Sequence, residues 1–333
     1  MVTIKDKYIK ELDHLPYYNP QLERKVAIIT GPTTGIGFHT ALHLYLHGFI
    51  IYLCCKNTHK ANKIISQIKQ EIITKKLIAK EEEYEECFGE LRYINIDLAD
   101  LKSIKKNISN WFIKNKIETK VDLLINNGGA MGVPFEETKD GIEIQLQTNY
   151  IAHFLLTIEL LPLIKKCHGR VISVSSVSHN LQIINLDINN GFNYFPNMIF
   201  TWIRFAIAKT ACIQFVKILA IKHSDIYCLA IHPGIVMDTG LFSYWTRLPI
   251  FGIFFWLFFQ VIGIFFSVSR ESGAVSLLKT ALSEDLNIEQ SSGKYFNSKG
   301  IEKVPGGVAN NLDYTASTWI WTVHKLKDKG FDV

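Results

Sequence analysis

The chain has 333 residues, 48% hydrophobic and 20% charged, which suits one large α/β domain with appendages. Its net charge of +5 is spread out and no Lys/Arg block alternates with aromatic residues, which argues against a nucleic-acid partner. The six cysteines form no C-x-x-C pair and no metal-ligand spacing with histidine, so we expect free thiols in a reducing compartment and no metal site.

The first elements lie at the amino-terminal end. Residues 1–24 are predicted to be a polar leader that packs on the domain edge or stays mobile. The stretch Lys25–Gly37, KVAIITGPTTGIG, then predicts a buried strand, a glycine-rich turn and the start of a helix. That order suits a dinucleotide diphosphate, because glycines let the backbone approach the phosphates and the first-turn N–H groups point at them. A tight strand-to-helix turn would use the same residues.

The rest of the chain alternates between apolar strands and amphipathic helices. Strands are predicted at Val26–Ile29, Ile50–Cys55, Leu91–Ile96, Val121–Ile125, Arg170–Ser175, Ile226–Ile231 and Gly293–Phe296, and helices at Phe38–Leu46, Asn57–Ile78, Gly141–Cys167, Trp202–His223 and Glu271–Ser283. This alternation predicts a doubly wound parallel sheet of the Rossmann type, covered on both faces. Residues 75–90 turn abruptly to charge and are interpreted as a solvated insertion.

Polar residues follow the ends of four predicted strands: Asp97, Asn126, Ser176 and His232. In open α/β sheets, ligands bind outside the carboxyl ends of the strands, where the strand order reverses. The four residues therefore predict one shared site at that edge of the sheet.

The motifs resemble those of the short-chain dehydrogenase/reductase superfamily over nearly all of residues 25–300. The matching pieces, in the expected order, are Thr30–Gly37 for T-G-x-x-x-G-I-G, Asn126–Gly129 for N-N-A-G with Gly for Ala, Asn149, Ser176 and His232–Gly234. The stretches NYIAHF and SSVSH are similar to the retinol-dehydrogenase-like branch. Within it, LHLYLHGF, TKDG, LFSYWTRLP and STWIWTVH resemble a fungal subgroup of oxidoreductases linked to lipid droplets and vacuoles.

The resemblance implies a set of residues for a nicotinamide dinucleotide. Gly31, Gly35, Ile36 and Gly37 would hold the diphosphate, Asp97 and Leu98 would face the adenine, Asn126 and Gly128 would border the adenosine ribose, and Pro233, Gly234 and Val236 would lie along the nicotinamide.

The cofactor type depends on the residues after the second strand. An NAD site usually places an acid there on the ribose 2′-hydroxyl, but this chain has Cys54-Cys55-Lys56-Asn57 and no acid. Lys56 could pair with a 2′-phosphate, so NADP(H) is predicted. A surface lysine at a loop start is the alternative.

The catalytic pattern of the family lacks one member in this chain. The family uses Tyr-x-x-x-Lys, in which the lysine lowers the pKa of the tyrosine proton donor and holds the nicotinamide ribose. By the resemblance, Asn149, Ser176 and Lys209 match the remaining catalytic positions, whereas Phe205 stands at the tyrosine position.

Three hypotheses follow from this substitution. The protein is a catalytically silent cofactor binder, or another group donates the proton, or the phenylalanine is a variant or sequence error in an otherwise active enzyme. By family topology, the candidate donors are Tyr194 and His179.

No residue between Arg247 and Arg270 is charged, and this run reads LPIFGIFFWLFFQVIGIFFSVS. As one helix it would extend ~33 Å, enough to cross a hydrocarbon core, yet the helix and strand predicted after it must return to the same sheet. Residues 248–268 are therefore predicted to be a hairpin or in-plane helix at a membrane or lipid-droplet surface. A substrate lid is the alternative.

These predictions describe one Rossmann domain, residues 25–296, followed by an extension, residues 297–333, that packs on it. The predicted function is an NADP(H)-dependent oxidoreductase that interconverts a lipid-like carbonyl and alcohol, a hydrophobic small-molecule substrate. The predicted location is membrane-associated and facing the cytoplasm, at a lipid droplet or endomembrane. The alternative is a cofactor-binding, membrane-attached scaffold or sensor. By the resemblance, pairing into a homodimer would use the two long helices.

Overall fold

The computed structural model describes residues 12, 14–79, 88–183, 196–236, 243–249 and 252–333. Eight strands form one sheet in the order β3-β2-β1-β4-β5-β6-β7-β8. Their bounds are Val26–Thr30 (β1), Ile50–Cys55 (β2), Glu90–Asn95 (β3), Leu123–Asn126 (β4), Arg170–Val174 (β5), Tyr227–Ile231 (β6), Tyr295–Phe296 (β7) and Glu302–Lys303 (β8). The first seven strands are parallel and β8 is antiparallel to β7.

The described helices connect these strands. They are Gly35–Leu46 (α1), Thr58–Ala79 (α2), Leu101–Asn107 with the π-helical turn Ile108–Ile113 (α3), Ile144–Leu146 with Gln147–Ile151 and Ala152–Lys165 (α4), Asn197–Lys222 (α5), Ser243–Thr246 (α6), Gly252–Phe266 (α7), Arg270–Leu282 (α8), Ile288–Ser291 (α9), Gly307–Asn310 (α10) and Leu312–Asp328 (α11). A 3₁₀ turn spans Val177–Leu181.

The side chains of β1 show why this sheet is covered on both faces. All five residues of β1 are buried, and successive side chains of a strand point to opposite faces. Val26 and Ile28 belong to a core cluster with residues of α4 and α5, whereas Ala27 and Ile29 belong to a second cluster with residues of α1 and α8. The predicted doubly wound parallel sheet is confirmed.

The strand order reverses between β1 and β4, which both pair with parallel neighbours. A crevice opens at such a point beyond the carboxyl ends of the strands, because the connections on either side lead away in opposite directions. The loops after β1, β3, β4, β5 and β6 meet at this edge and carry most of the predicted site residues.

Three helices begin three or more residues before or after the predicted start, and one of them is α1, which begins at Gly35 rather than Phe38. Helix α5 begins at Asn197 rather than Trp202, because Pro196 at the N-cap has an extended backbone that suits a helix entry. Helix α4 begins at Ile144 rather than Gly141, where the Glu143 carboxylate accepts the N–H of Leu146 and caps the helix.

Among the described residues of the apolar stretch, helix α7 begins at Gly252 and ends at Phe266, so the stretch does not form one helix of ~33 Å; the short helix α6 lies before it. The 15 residues of α7 extend about 22 Å. Within the described parts of the chain, no helix combines the length and apolar character needed to cross a bilayer. The following helix α8 packs on α1, and β7 pairs with β6 in the common sheet, so the chain returns to the domain as expected.

The last helix, α11, lies across the two long helices α4 and α5. Trp319 places its ring centroid 4.8 Å from that of Phe154 and 6.0 Å from that of Phe215. The hydroxyls of Tyr150 and Thr322 are 2.8 Å apart. In the leader, residues 14–24 are described, and the His47 ring bonds the carbonyl of Pro16 there. Half of the predicted charged insertion, residues 80–87, lies outside the described residues.

Candidate active site

The glycine-rich turn after β1 closes against the loop after β4. Gly31 has φ +64°, and a Cβ on it would lie 2.6 Å from the Cα of Gly128. A Cβ on Gly37 would lie 2.7 Å from the Asn127 amide nitrogen and collide with the carbonyl oxygen of Gly31. Only glycine therefore lets the two loops approach this closely.

The amino-terminal end of α1 suits an anion. Its N-cap residue, Thr34, makes no side-chain cap bond, and no acidic residue lies in the first turn. The first N–H groups of a helix lack partners within the helix, and its dipole favours negative charge there. The predicted diphosphate residues Gly35, Ile36 and Gly37 form this first turn, so the described residues fit a dinucleotide phosphate.

A chain of buried hydrogen bonds joins the glycine-rich turn to α4, the helix that carries Asn149. The Thr30 hydroxyl accepts the N–H groups of Asn127 and Gly128, each at 2.9 Å, and lies 2.9 Å from His153 Nε2. His153 Nδ1 lies 2.9 Å from the carbonyl oxygen of Asn149. Because the Thr30 hydroxyl already accepts two hydrogen bonds, it donates its own proton to His153 Nε2. The His153 Nδ1–H then donates to the carbonyl oxygen of Asn149. Burial lowers the pKa of His153 to about 4, so the ring is neutral.

On the adenosine side, the structure brings the predicted residues together and adds a contact between two of them. Lys56 Nζ lies 2.8 Å from Asp97 Oδ2, and the lysine side chain is 74% exposed. Leu98 lies against Gly128, where a Cβ would come within 2.8 Å of its Cδ1. An exposed ion pair of this kind contributes ~0–1 kcal/mol, so Lys56 can turn to another anion at small cost.

The loop after β6 carries the residues predicted to lie along the nicotinamide. Gly234 has φ +95°, and a Cβ on it would come 2.5 Å from Val268. The Val268 N–H donates to the carbonyl oxygen of Ile235 at 2.9 Å. Pro233 and Val236 are buried beside this turn. The residues just after α7 thus fix the position of the loop.

The lysine and serine that were predicted to be catalytic lie near the end of β5. Lys209 Nζ donates to the carbonyl oxygen of Val174 at 2.8 Å, and only 6% of the residue is exposed. This burial lowers the pKa of Lys209. The Ser176 Oγ accepts the N–H of Ser178 at 3.2 Å, which leaves its own proton for a ligand. Each of these two side chains therefore keeps a donor proton that these hydrogen bonds do not use.

Phe205 occupies the expected tyrosine position with its ring buried. The ring centroid lies 5.5 Å from Lys209 Nζ, so the ammonium and the aromatic ring are in contact range. The substitution keeps the ring and removes the hydroxyl, and with it the usual proton donor.

Asn149 lies in the π-helical segment of α4 and is 2% exposed. Its amide donates to the carbonyl oxygens of Ala130 and Gln145 at 2.7 and 2.8 Å. A Cβ on Gly129 would collide with Asn149 Oδ1, so the Asn149 side chain leaves room only for glycine at this position. Asn126 donates to the Thr157 hydroxyl at 3.0 Å, in the sheet centre.

His179 does not serve the hypothesis of a substitute proton donor. Its Nε2 accepts the N–H of Gly306 at 3.0 Å, so the ring proton is on Nδ1, which lies 2.6 Å from the carbonyl oxygen of Ser176. Both ring nitrogens are used, and burial lowers the pKa of His179. The other candidate, Tyr194, lies outside the described residues.

An aromatic wall extends from Phe205 to α7. Trp202 lies three residues before Phe205, on the same side of α5. Its ring stacks on Trp245 with centroids 5.7 Å apart, and the Trp245 ring lies 4.8 Å from that of Phe255. None of these roles was predicted for Trp202, Phe255 or His153. His153 lies four residues after Asn149 on one helix, and this spacing could have predicted the contact between them.

Comparisons with known proteins agree with this geometry. Residues 25–247 match a family profile described as short chain dehydrogenase. An uncharacterized oxidoreductase of Schizosaccharomyces pombe is 32% identical over 83% of this chain and 78% of its own length. Retinol dehydrogenase 11 of Homo sapiens is 30% identical over 91% of this chain and 85% of its own length. A solved structure of an uncharacterized protein from Mycobacterium paratuberculosis has a TM-score of 0.67 and 23% identity, and the match covers 96% of this chain and 97% of that one.

The predicted superfamily and its retinol-dehydrogenase-like branch are thus confirmed. The glycine-rich turn and the buried Lys209 follow one another in the chain order of the family motifs, and both lie at the same edge of the parallel sheet. The chain therefore belongs to the short-chain dehydrogenase family, whose members interconvert carbonyls and alcohols with a nicotinamide dinucleotide.

Proposed function

We propose that this protein is an NADP(H)-dependent oxidoreductase that interconverts a lipid-like carbonyl and alcohol at a membrane or lipid-droplet surface. The observation that carries the proposal is the buried Lys209, bonded to Val174 two residues before Ser176, at the same sheet edge as a glycine-rich turn that fits a dinucleotide. The aromatic wall from Phe205 to α7 supports an apolar substrate, and the name retinol dehydrogenase 11 of one relative describes an apolar alcohol.

The residues of the chain divide the chemical work. When bound, NADP(H) supplies or accepts a hydride. The Ser176 hydroxyl donates a hydrogen bond to the substrate oxygen and fixes its position. Lys209 donates one proton to Val174 and has two more N–H protons, and burial makes its ammonium a stronger acid than a free lysine. In this proposal Lys209 supplies the proton that a tyrosine supplies elsewhere in the family.

Replacement of Lys209 with methionine tests this proposal directly. We expect Lys209→Met to abolish NADPH oxidation in the presence of a long-chain aldehyde. Lys217→Met is the matched control, since Lys217 lies on the same helix and bonds Asn310 outside the site. Turnover that survives Lys209→Met while Lys217→Met behaves like the parent would exclude Lys209 as the proton source.

The preference for NADP(H) rests on Lys56 and on the lack of an acid after β2. A 2′-phosphate carries more charge than the Asp97 carboxylate and would compete for the exposed ammonium of Lys56. We expect NADPH to bind more tightly than NADH, and Lys56→Glu to reverse the order. Equal affinities of the parent for both cofactors in a titration would contradict the preference.

Membrane association rests on the outer side of α7. Ile253, Phe254, Trp256, Leu257 and Val261 are exposed, Ile253 by 73%. The inner side of the same helix is held by the contact of Phe255 with Trp245. An exposed apolar helix face of this size marks an interaction surface, and a lipid monolayer or bilayer leaflet is the occupant proposed here.

Liposome flotation tests the proposed lipid surface. We expect the double substitution Phe254→Glu and Leu257→Glu to release the protein from the lipid fraction, because charge on this face opposes insertion. Ile320→Glu on α11 is the matched control, with a side chain that is 54% exposed in the parent, against 53% for Leu257. Equal recovery of parent and double variant with lipid would contradict membrane attachment through α7.

A second candidate function is a cofactor-binding, membrane-attached scaffold or sensor without turnover. The buried phenylalanine at position 205 favours it, because the usual proton donor is missing. Both candidates require NADPH binding, and only the first requires substrate-dependent NADPH oxidation or alcohol-dependent NADP⁺ reduction.

A further inference from the structure

The indole N–H of Trp245 is buried without a hydrogen-bond partner. The residue is 3% exposed, and its Nε1 has no acceptor among the described residues. The ring cannot turn freely, because it stacks on Trp202 and contacts Phe255 at 4.8 Å. Buried tryptophan N–H groups usually find a partner, since an unpaired buried donor is costly. A ligand atom is an acceptor that would remove this cost.

The indole lines a small cavity of about 80 Å³. Its walls are Gly132, Pro134, Asn197, Thr201, Tyr244 and Trp245. Gly132 makes the space: it has φ +65°, and a Cβ on it would lie 2.8 Å from Trp245 Nε1. The cavity has room for a few heavy atoms, such as an ester or an ether group, and none for a second ring system.

The Thr201 hydroxyl and the Asn197 amide oxygen in this wall are already paired. The Thr201 hydroxyl donates to the carbonyl oxygen of Val133 at 2.5 Å and accepts from Gln145 at 3.1 Å. The Asn197 Oδ1 accepts the N–H of Phe135 at 3.1 Å and also bonds Arg204. A buried water typically makes about three hydrogen bonds, whereas an acceptor oxygen of a ligand needs only the indole N–H. An acceptor oxygen on an otherwise apolar ligand fits better.

The cavity lies one helical turn from the reacting position. Thr201 precedes Phe205 by four residues on α5, which corresponds to about 6 Å along the helix axis. A ligand whose carbonyl lies beside Ser176 and Phe205 can therefore place a second group in the cavity.

We propose that Trp245 is a specificity-determining residue whose indole N–H binds a second oxygen of the substrate, about 6 Å from the carbonyl that reacts. The substrate class is then a long-chain ketone or aldehyde that carries an ester, ether or further keto oxygen at that distance. The position of the reacting carbonyl rests on the proposed function, whereas binding at the indole does not require turnover.

Calorimetric titration with two probes tests this subsite. One probe is a long-chain ketone with a methyl ester about 6 Å from the keto group, and the other is a ketone of the same length without the ester. Titrations contain NADP⁺, so that neither ketone is reduced. We expect the parent to bind the keto ester about tenfold more tightly, the effect of one well-placed buried hydrogen bond.

Trp245→Phe removes the N–H and keeps an aromatic ring, so we expect it to lose the preference for the ester. Gly132→Ala, which fills the cavity, should lose it too. Trp111→Phe, on the exposed part of α3, is the matched control and should keep the preference. Equal affinities in the parent, a preference that survives in both site variants, or no binding of either ketone would overturn the subsite.

The same probes separate this proposal from the proposed function. NADPH oxidation with both ketones at equal affinity would overturn the subsite and leave the oxidoreductase proposal standing. An ester preference that depends on Trp245, without any NADPH oxidation, would support the subsite and remove the oxidoreductase proposal.

Discussion

Phe205 changes the chemistry of the site without changing its shape. The phenyl ring is 4% exposed and fills its position in α5, and Lys209 Nζ lies 5.5 Å from its centroid. Burial of an ammonium is unfavourable unless something binds or uses it, and both candidate functions offer Lys209 a ligand: the nicotinamide ribose in either, and the substrate oxygen in an active enzyme. The buried Lys209 therefore indicates a ligand site, and only turnover distinguishes an active enzyme from a silent cofactor binder.

The glycine turn provides a residue-scale prediction. A Cβ added by Gly37→Ala would collide with the carbonyl of Gly31, so the turn must move away from the position that suits a diphosphate. We expect NADPH binding, followed by its fluorescence, to weaken at least about tenfold. Gly307→Ala is the control, since a Cβ there meets no atom within 4 Å. Equal affinity of both variants would show that the turn does not hold the cofactor.

Some site residues could be predicted from the sequence and others could not. The glycines lie at fixed spacings within one turn, and Lys209 lies at a fixed spacing from Phe205 within one helix. Such short spacings can be read directly from the sequence. The pairing of Lys56 with Asp97 and the position of Gly132 under Trp245 join residues far apart in sequence. Such contacts depend on how the loops fold over the sheet edge, which local patterns do not encode.

At the scale of elements, the buried strands were the most predictable part. Strand β2 has the predicted bounds, and β1 and β5 differ by one residue at one end. Short runs of buried aliphatic residues bounded by polar ones explain this accuracy. The apolar stretch was harder, because composition alone does not reveal that its helix, α7, begins only at Gly252 and ends at Phe266.

The packing of α11 gives an element-scale prediction. The Trp319 ring contacts Phe154 on α4 and Phe215 on α5, so Trp319→Ala leaves a gap between three helices. We expect the free energy of unfolding in urea to fall by about 3 kcal/mol. Ile320→Ala, whose side chain is 54% exposed, should change it by less than about 0.5 kcal/mol.

A small effect of Trp319→Ala, no larger than that of Ile320→Ala, would mean that α11 does not stabilise the domain. The position of α11 also bears on the predicted homodimer. The helix occupies part of the face of α4 and α5 through which two chains were expected to pair, so pairing stays a prediction for the remaining surface of these helices.

At the scale of the whole molecule, buried histidines predict how stability depends on pH. Burial lowers the pKa of five histidines: His39, His153, His179, His223 and His232. The value is about 4 for His153 and His232. Between the unfolded value near 6.5 and these folded values, the unfolded chain binds more protons than the folded chain.

The free energy of unfolding should therefore be fully retained above about pH 6.5 and fall as the pH drops towards 4. His153 alone accounts for roughly 3 kcal/mol of this change, because a shift of one pKa unit corresponds to about 1.4 kcal/mol. Urea unfolding at several pH values measures it. His153→Gln should flatten the dependence and His59→Gln, on the exposed side of α2, should not. Stability that stays constant from pH 6.5 to 4 would contradict the neutral state of His153.

We propose that this site still transfers a hydride although a phenylalanine stands at the tyrosine position. NADPH oxidation with a long-chain aldehyde, in the parent and in Phe205→Tyr, tests it most directly. We predict slow but measurable oxidation by the parent and an increase of roughly 10²- to 10⁴-fold in Phe205→Tyr, because a positioned general acid contributes a factor of that size. The double variant Phe205→Tyr/Lys209→Met should lose the gain. A parent that binds NADPH and shows no aldehyde-dependent oxidation above the uncatalysed rate would contradict the claim.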